Sequence, residues 1–289
     1  MIKIITDSAA DIPKNEVEAL GIQVLAIPIT VDGVTYMEGE DFTSEEYYKM
    51  LVAAKELPTT SQITALRYAE AFDKAVKEGY NHIICVTITS KGSGIFNAAN
   101  LAKRMILEEQ PALCENVTID IVDSRTYTYV YGLAVVAAAK AVKAGKSRNE
   151  VLDVLNDHLT NYHVYVGLFN LDYAKKSGRI TSAAAFVGEI MGFRPILTLV
   201  DGALETHSKV RGDHKLIEAL CQLCKEDFVN DGRPFYIIRA DSKENAHTLE
   251  KMVAKQTGLK CAGTYLMGGS IVTNSGPTII GVVYPVAKK

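Results

Sequence analysis

The sequence lacks an apolar run long enough to cross a membrane. Its longest apolar tract, residues 132–142, is Ala-rich and carries Lys140. A membrane-spanning helix needs about 20 apolar residues, so this tract predicts a buried helix instead. The N-terminus already has the pattern of a strand and not that of a secretory signal. We therefore expect a cytoplasmic protein without an integral membrane segment.

An excess of positive charge is also missing. Lys and Arg total 31 against 34 for Asp and Glu, so the formal net charge is −3. Nucleic acids and anionic membranes attract proteins through basic surfaces, and this composition predicts neither partner. The 289 residues, of which 48% are hydrophobic, predict one large domain or two smaller ones with a sizeable core.

Motifs for metals, nucleotides and a serine nucleophile are absent. The odd number of cysteines, 5, favours a reduced protein, and the lone C-x-x-C of Cys221 and Cys224 lies within a helical pattern, typical of ordinary helix residues. No H-E-x-x-H, P-loop or first-strand G-x-G-x-x-G occurs. The residues around Ser93 do not fit the G-x-S-x-G elbow. The sequence therefore predicts no metal, no cofactor and no catalytic residue.

The most informative stretch spans residues 82–107. An apolar run at 82–88 predicts a strand buried on both faces, and a helical pattern begins at Ile95 after a Gly/Ser loop. The helix N-terminus favours an anion, Ser93 adds a hydroxyl, and Gly92 and Gly94 would let a ligand approach the backbone. The alternative is that Ser90 or Ser93 only caps the helix.

Strands alternate with helices through the first half of the chain. This order predicts a doubly wound sheet with ligands beyond the carboxyl ends of its strands. Two of the strands end alike, in Asp7-Ser8 and Asp123-Ser124. These side chains either meet at one sheet edge or cap the segments that follow them. The predicted strands are 3–6, 22–31, 82–88 and 118–122, and the predicted helices are 13–20, 43–54, 64–78, 95–107, 129–143 and 147–159.

The pattern changes near residue 160, where Asp201-Gly202 marks a hairpin between strands 195–200 and 203–208. The fold class is therefore α/β with two domains: a doubly wound parallel-sheet domain at 1–155 and an α+β domain with a mixed sheet at 156–289, with elements free to cross. The other strands predicted here are 165–169, 235–239, 269–273 and 278–286, and the helices are 172–176, 181–191, 214–228 and 242–256.

Five short segments occur in a specific order over nearly the whole chain. They are Thr6-Asp7-Ser8, Pro58-Thr59-Thr60-Ser61-Gln62, Ser90-x-x-Ser93-Gly94, residues 176–181, and residues 194–197 leading to Lys209-Val210-Arg211. Together they resemble the DegV family of fatty-acid-binding proteins, which in some bacteria are the lipid-carrying subunits of a fatty acid kinase.

The resemblance implies a long-chain fatty acid held between two domains, presented to a separate kinase catalytic subunit. It places the carboxylate at Thr60, Ser61, Ser93 and Gly94, and Arg179 near the head group or on the kinase-facing surface. Arg179 as a solvated helix-end residue is the alternative. An acyl tunnel would be lined by residues 183–192 and 196–199, which equally suit a plain core.

Two positions depart from the family pattern. Ile95 follows Gly94 where the family often has a hydroxyl residue, and Asn274 stands where the family often has histidine. An amide donates a hydrogen bond but carries no charge. Asn274 is therefore a candidate head-group ligand whose chemistry differs from that of histidine, or a residue that only supports the Gly276-Pro277 turn.

The rival function is a stand-alone phosphotransferase or hydrolase that uses the Ser93 loop as a phosphate site.

Overall fold

The computed structural model describes residues 1–111, 115–179 and 192–287. They form two compact units, one of residues 1–28 with 61–159 and the other of residues 29–60 with 160–289. The α/β class is confirmed, with a parallel sheet in one unit and a mixed sheet in the other. The division predicted at residue 155 differs from these units, since it assigned residues 29–60 to the first domain.

The elements of the described residues follow in chain order. The strands are β1 (Ile2–Asp7), β2 (Gln23–Leu25), β3 (Pro28–Val31), β4 (Val34–Met37), β5 (Thr59–Thr60), β6 (His82–Thr87), β7 (Thr118–Asp123), β8 (Tyr162–Gly167), β9 (Phe193–Val200), β10 (Ala203–Arg211), β11 (Phe235–Arg239), β12 (Cys261–Leu266) and β13 (Ile280–Pro285). The helices are a 3₁₀ turn (Ser8–Ala10), α1 (Lys14–Leu20), α2 (Ser44–Ala53), α3 (Ala65–Lys77), α4 (Ile95–Glu109), α5 (Tyr129–Lys143), α6 (Arg148–Asn161), α7 (Asp172–Ser177), α8 (Asp213–Asp227), α9 (Lys243–Thr257) and α10 (Gly269–Ser275).

The first unit is built on a four-stranded sheet in the order β2-β1-β6-β7. All neighbouring strands are parallel, so their carboxyl ends lie at one edge. Ile83, Ile84, Cys85 and Val86 are fully buried in β6, which confirms the prediction of a strand covered on both faces. Helix α5 is buried along most of its length, as its Ala-rich sequence predicts.

The second unit contains two sheets. A six-stranded mixed sheet has the order β10-β9-β8-β13-β11-β12, and a three-stranded sheet has the order β4-β3-β5. Helices α8 and α9 pack on the mixed sheet through a core that includes Leu216, Leu249 and Ile237. Cys221 and Cys224 are buried free thiols in α8, which confirms their prediction as ordinary helix residues.

Short sequence motifs correctly predict where most of the helices and strands begin or end. The capping box at Thr43 forms with both hydrogen bonds, and the one at Ser147 exchanges bonds with Glu150. The predicted hairpin forms at Asp201-Gly202, where both residues have positive φ. Such turns match the twist of the flanking strands.

The predicted strand at 22–31 is wrong as a single element. It divides into β2, which pairs with β1, and β3, which pairs with β5 in another sheet. The amide of Ile27 donates to Ser8 Oγ at 3.0 Å within the break between them. The apolar pattern continues through the break because residues 25–27 are buried, so periodicity alone does not show it.

The predicted strand at 269–273 is also wrong, because residues 269–275 form helix α10. Gly269 lets this helix lie directly against Ile29 and Tyr47, where a Cβ would collide with both side chains. Thr273 Oγ1 hydrogen bonds to the Tyr47 hydroxyl at 2.5 Å. These contacts outweigh the strand preference of Ile271, Val272 and Thr273.

Strands β4, β5 and β12 were not predicted. Strand β12, with the sequence CAGTYL, has no alternation of apolar and polar residues, and Gly263 in its interior weakens the strand signal. The helix predicted at 181–191, and with it the tunnel lining proposed for residues 183–191, lies outside the described residues. Ile196, of the other stretch proposed to line the tunnel, belongs to the core of the second unit.

Candidate functional site

Two aspartates hold the loop that follows β6 at the carboxyl edge of the parallel sheet. On one side, Asp7 Oδ2 accepts the amide of Ile88 at 2.9 Å. On the other, Asp123 Oδ1 accepts the amide of Ser90 at 3.1 Å. The structure therefore confirms that the two Asp-Ser ends meet at one sheet edge. Asp123 also accepts the amide of Arg125 at 3.0 Å, so it orders the segment after β7 as well.

Asp7 is fully buried, and its second oxygen accepts the hydroxyl of Tyr131 at 2.6 Å. Burial raises the pKa of Tyr131, and the charge of Asp7 raises it further, so this tyrosine is a hydrogen-bond donor. A buried carboxylate is tolerated only when donors surround it. Asp7 thus acts as a rigid anchor for the loop.

Ser93 and Gly94 form the junction between this loop and α4. Gly94 is the residue at the N-cap, and the Oγ of Ser93 accepts the amide of Ile95 at 3.3 Å. Ser93 therefore caps the start of α4 in part, as the alternative in the sequence analysis predicted. An accepting hydroxyl still has its own proton to donate, so capping and ligand binding are compatible.

Several backbone amides at this junction have no hydrogen-bond acceptor among the described residues. In the described part of the chain, no acceptor receives the amides of Ser93, Gly94, Phe96 and Asn97. These groups lie at the start of a 15-residue helix, whose positive dipole end favours an anion. The junction therefore offers neutral donors to one negatively charged group.

Gly92 and Gly94 lie against two side chains of the same unit, Tyr127 and Gln62. A Cβ at Gly92 would lie 2.9 Å from Cζ of Tyr127, and a Cβ at Gly94 would lie 3.0 Å from Cδ of Gln62. Their missing side chains make room for these two residues, and a close approach of a ligand to their backbone stays a prediction. Gln62 is the contact that brings the Ser61 segment to the Ser93 loop, and the sequence argument had assigned it no role.

Thr60 and Ser61 are neighbours in sequence but belong to different units. Thr60 is half-buried in β5, where it pairs with Ile29 of the second unit. Ser61 is exposed in the first unit, and its amide donates to the carbonyl of Pro28 at 2.9 Å. Of the predicted head-group residues, the first unit therefore contains Ser61, Ser93 and Gly94.

Arg179 and Asn274 lie in the second unit. Arg179 is exposed, and its Nη1 donates to the carbonyl of Ser177 at 2.9 Å. The Nδ2 of Asn274 donates to the carbonyl of Ser270 at 2.9 Å, one turn earlier in α10. Helix α10 packs against α7 and β5, so Asn274 is on an element that contacts both the Arg179 and the Thr60 segments. The hydrogen bond of the Asn274 side chain is thus made within α10 and not to the Gly276-Pro277 turn.

A buried polar network surrounds α10. The carboxylate of Glu38 accepts the amide of Ser270 at 2.8 Å, and the hydroxyl of Tyr47 bonds to Thr273. Burial raises the pKa of Tyr47 to about 12 despite the Thr273 hydrogen bond. Tyr47 is therefore neutral, and the network holds α10 in place.

Three non-glycine residues of the first unit have a strained backbone, and two of them lie in the segment after β7. Asp11, Arg125 and Thr128 have positive φ although none is glycine. Thr128, with φ 54° and ψ −154°, occupies a region that only glycine adopts easily. Its hydroxyl donates to Asp11 at 2.5 Å. Strain of this kind persists only where the surrounding contacts over-determine the conformation.

The described residues show neither a membrane-spanning helix nor a cluster of metal ligands. Among residues 1–111, 115–179 and 192–287, no helix is long and apolar enough to cross a bilayer. In the same ranges, no group of three or more His, Cys, Asp or Glu side chains is arranged to hold a metal ion.

Comparisons with known proteins define the family. A family model described as an uncharacterised protein of the DegV family matches residues 1–286. The chain therefore belongs to the DegV family. A DegV domain-containing protein of Caldanaerobacter subterraneus subsp. tengcongensis is 30% identical over 286 residues, which is 98% of each chain.

Solved structures of the same fold include fatty-acid-binding proteins. A fatty acid binding DegV family protein of Streptococcus agalactiae has a TM-score of 0.86 and 27% identity, covering 100% of this chain and 99% of its own. A stearic-acid-binding protein of Eubacterium ventriosum has a TM-score of 0.87 and 26% identity, covering 99% and 98%.

Proposed function

We propose that this protein binds a long-chain fatty acid with its carboxylate at the Ser93–Gly94 junction. The observation that carries the proposal is the set of open amides beside the Ser93 hydroxyl at the start of α4. The fatty-acid-binding proteins of the same fold support it. Thr60, Ser61, Asn274 and Arg179 are proposed as further ligand-binding residues.

The donors suit a carboxylate. A buried charge is costly unless it is hydrogen-bonded, and each hydrogen bond to a charged group contributes roughly 1.5–3 kcal/mol. The amides and the hydroxyl supply such bonds without a counter-cation. The acyl chain would contribute about 0.8 kcal/mol for each buried methylene, so most of the affinity would come from the chain and the orientation from the head group.

The finer proposal is that the protein is a carrier that presents the fatty acid carboxylate to a separate kinase. Among the described residues, the two carboxylates that contact this loop, Asp7 and Asp123, already accept its amides, so neither is placed as a general base. This arrangement favours binding over catalysis. A stand-alone phosphotransferase or hydrolase at the Ser93 loop would instead show turnover on phosphoesters or acyl esters without an added partner.

The direct test is to extract purified protein with organic solvent and to identify lipids by mass spectrometry. We expect a long-chain fatty acid, and we expect the delipidated protein to take up added fatty acid. Failure of both assays would contradict the proposal. Turnover in the partner-free activity screen would contradict the carrier role.

Ser93→Ala should weaken fatty acid binding about ten- to a hundredfold, because it removes one hydrogen bond to a charged group. The measurement is a fatty acid titration together with the melting temperature. Ser90→Ala is the matched control, since the Ser90 side chain has no partner among the described residues while its amide is held by Asp123. Unchanged affinity of Ser93→Ala at an unchanged melting temperature would remove Ser93 from the site.

Asn274→His should introduce a pH dependence that the wild type lacks. Neither an amide nor an ionised carboxylate titrates between about pH 6 and 8, so wild-type affinity should be constant there. An imidazole with an ordinary pKa near 6.5 gains charge as the pH falls, so the variant should bind about fivefold more tightly at the acid end. Fatty acid titrations at several pH values test this. A variant without the new dependence would place Asn274 away from the carboxylate.

A further inference from the structure

A cavity of about 420 Å³ lies in the second unit, at the edge of the mixed sheet where β8 and β11 end. Both strands are antiparallel to β13, so they run in the same direction and their carboxyl ends meet at this edge. The walls come from the segments after β8 and β11, the starts of α8 and α9, and the turn before β13. Ligands of α/β sheets commonly bind beyond the carboxyl ends of strands, and the volume is that of a small-molecule site.

Backbone hydrogen bonds hold the walls of this cavity together. The amide of Asp241 donates to the carbonyl of Pro277 at 2.8 Å, and the amide of Ala240 donates to the carbonyl of Ile279 at 3.0 Å. These two bonds join the segment that leads into α9 to the turn that leads into β13. The cavity is therefore shaped by the backbone of the fold before any ligand binds.

The charges of the side chains that line the cavity do not cancel. Arg194 Nε donates to Asp213 Oδ1 at 2.6 Å, and Lys243 Nζ lies 3.7 Å from a carboxylate oxygen of α2, so these lining residues are paired. The side chains of Asp241 and Glu244 have no hydrogen-bond or ion-pair partner in the part of the chain that the structure describes. Two negative charges are therefore left without compensation in the cavity wall.

Ser242, between these two carboxylates in the sequence, has a hydroxyl group that no described residue binds. It is 8% exposed and is the residue at the N-cap of α9, yet its side chain makes no capping hydrogen bond. A capping serine normally has an extended backbone, whereas Ser242 has φ −131° and ψ 53°. A buried hydroxyl without a partner is unfavourable, and because Ser242 lines the cavity, a ligand can supply the missing hydrogen bond.

Helix α9 gives the two carboxylates another role as well. Acidic residues at the start of a helix interact favourably with its dipole, and α9 is 15 residues long. This role explains a contribution to stability, but it leaves the buried hydroxyl of Ser242 unexplained. The two roles differ in what they predict, because helix stabilisation changes the melting temperature and ligand recognition changes a binding constant.

We infer that this cavity binds a small organic cation with primary ammonium groups. An ammonium group has three donors and no acceptor, which suits the carboxylates of Asp241 and Glu244 and the hydroxyl of Ser242. The ring of Phe169, also in the wall, offers a face that attracts cations. A metal ion fits less well, because no three His, Cys, Asp or Glu side chains of the described residues are arranged to hold one.

The inferred site is independent of the proposed fatty acid site. None of the residues proposed for the lipid head group lines this cavity. Two carboxylates favour a ligand with two ammonium groups, so the probe is putrescine, a diamine with four carbons. The neutral comparison is 1,4-butanediol, in which hydroxyls replace both ammonium groups on the same carbon chain.

The experiment titrates both probes into the whole chain by isothermal calorimetry, at low and at high salt. The test variant is Asp241→Asn/Glu244→Gln, which removes both charges and keeps the side-chain shapes. The control is Asp201→Asn/Glu205→Gln, which removes the same charge from exposed positions of the β9–β10 hairpin that do not line the cavity. Melting temperatures report folding.

We expect the wild type and the control to bind putrescine equally, and Asp241→Asn/Glu244→Gln to bind it about tenfold more weakly. The wild-type affinity should fall at high salt, because exposed charges are screened. Butanediol should bind at least about tenfold more weakly than putrescine. Equal putrescine affinity in all three proteins would overturn the inference. Butanediol binding as tight as that of putrescine would assign the cavity to neutral polyols and overturn it too.

Ser242→Ala separates ligand binding from helix capping. Because the hydroxyl has no partner among the described residues, we expect an unchanged melting temperature. Putrescine affinity should fall about tenfold, since a hydrogen bond from a charged group is lost. A lower melting temperature with unchanged putrescine affinity would show that Ser242 only supports α9, and it would overturn the assignment of this residue to the site.

Discussion

Gly132→Ala is expected to destabilise the protein by at least about 2 kcal/mol. A Cβ at Gly132 would overlap the carbonyl oxygen of Ala10 and lie 3.2 Å from its carbonyl carbon. Alanine gains up to about 1 kcal/mol of helix propensity over glycine, but overpacking in a buried helix costs about 1–3 kcal/mol or more. The atoms in the way belong to the backbone, which cannot move aside as a side chain can. We therefore expect the cost of the clash to exceed the gain in helix propensity. Chemical denaturation measures the change.

Gly94→Ala is the matched control for Gly132→Ala. Its Cβ would meet only the end of the Gln62 side chain, which is exposed and can rotate away. Gly94 has a φ of −75°, so alanine is not strained there. We expect a stability change below about 1 kcal/mol. Equal stability of Gly132→Ala and the wild type would show that α5 does not rest on the 3₁₀ turn as described.

Asp7→Ala is expected to reduce both stability and fatty acid affinity. It leaves the amide of Ile88 and the hydroxyl of Tyr131 without their acceptor in a fully buried place. Each stranded donor costs about 1–3 kcal/mol, partly offset because a buried charge is removed as well. We expect a net loss of about 2–4 kcal/mol. The loop that presents Ser93 would lose one of its two anchors, so affinity should fall too.

Tyr131→Phe separates the two effects of Asp7→Ala. It removes the hydroxyl itself, so only one hydrogen bond is lost, and the Asp7 bond to Ile88 remains. We expect a stability loss of about 0.5–1.5 kcal/mol with fatty acid affinity near that of the wild type. If Asp7→Ala lost stability but bound fatty acid normally, Asp7 would be a core residue and not an anchor of the loop.

Much of the fold could be predicted because its signals are local. The apolar run of β6, the capping boxes at Thr43 and Ser147 and the turn at Asp201-Gly202 each depend on residues within a few positions. The five ordered segments pointed to the family, which the match over residues 1–286 shows. Ser93 and Gly94 could be predicted as site residues from a local pattern too, since a strand, a loop and a helix follow one another directly.

Contacts between distant residues decided the rest. Helix α10 exists where β-branched residues predict a strand, because Gly269 and Thr273 pack against Ile29 and Tyr47, more than 200 positions earlier. The space at Gly94 is filled by Gln62, and the Ser93 loop is held by Asp7, about 80 positions earlier. The sequence by itself determined the α/β class and the loop that offers its donors, since both follow from local patterns. Only the tertiary structure decided which side chains hold that loop in place, because hydrogen-bond partners so far apart in the chain meet only after folding.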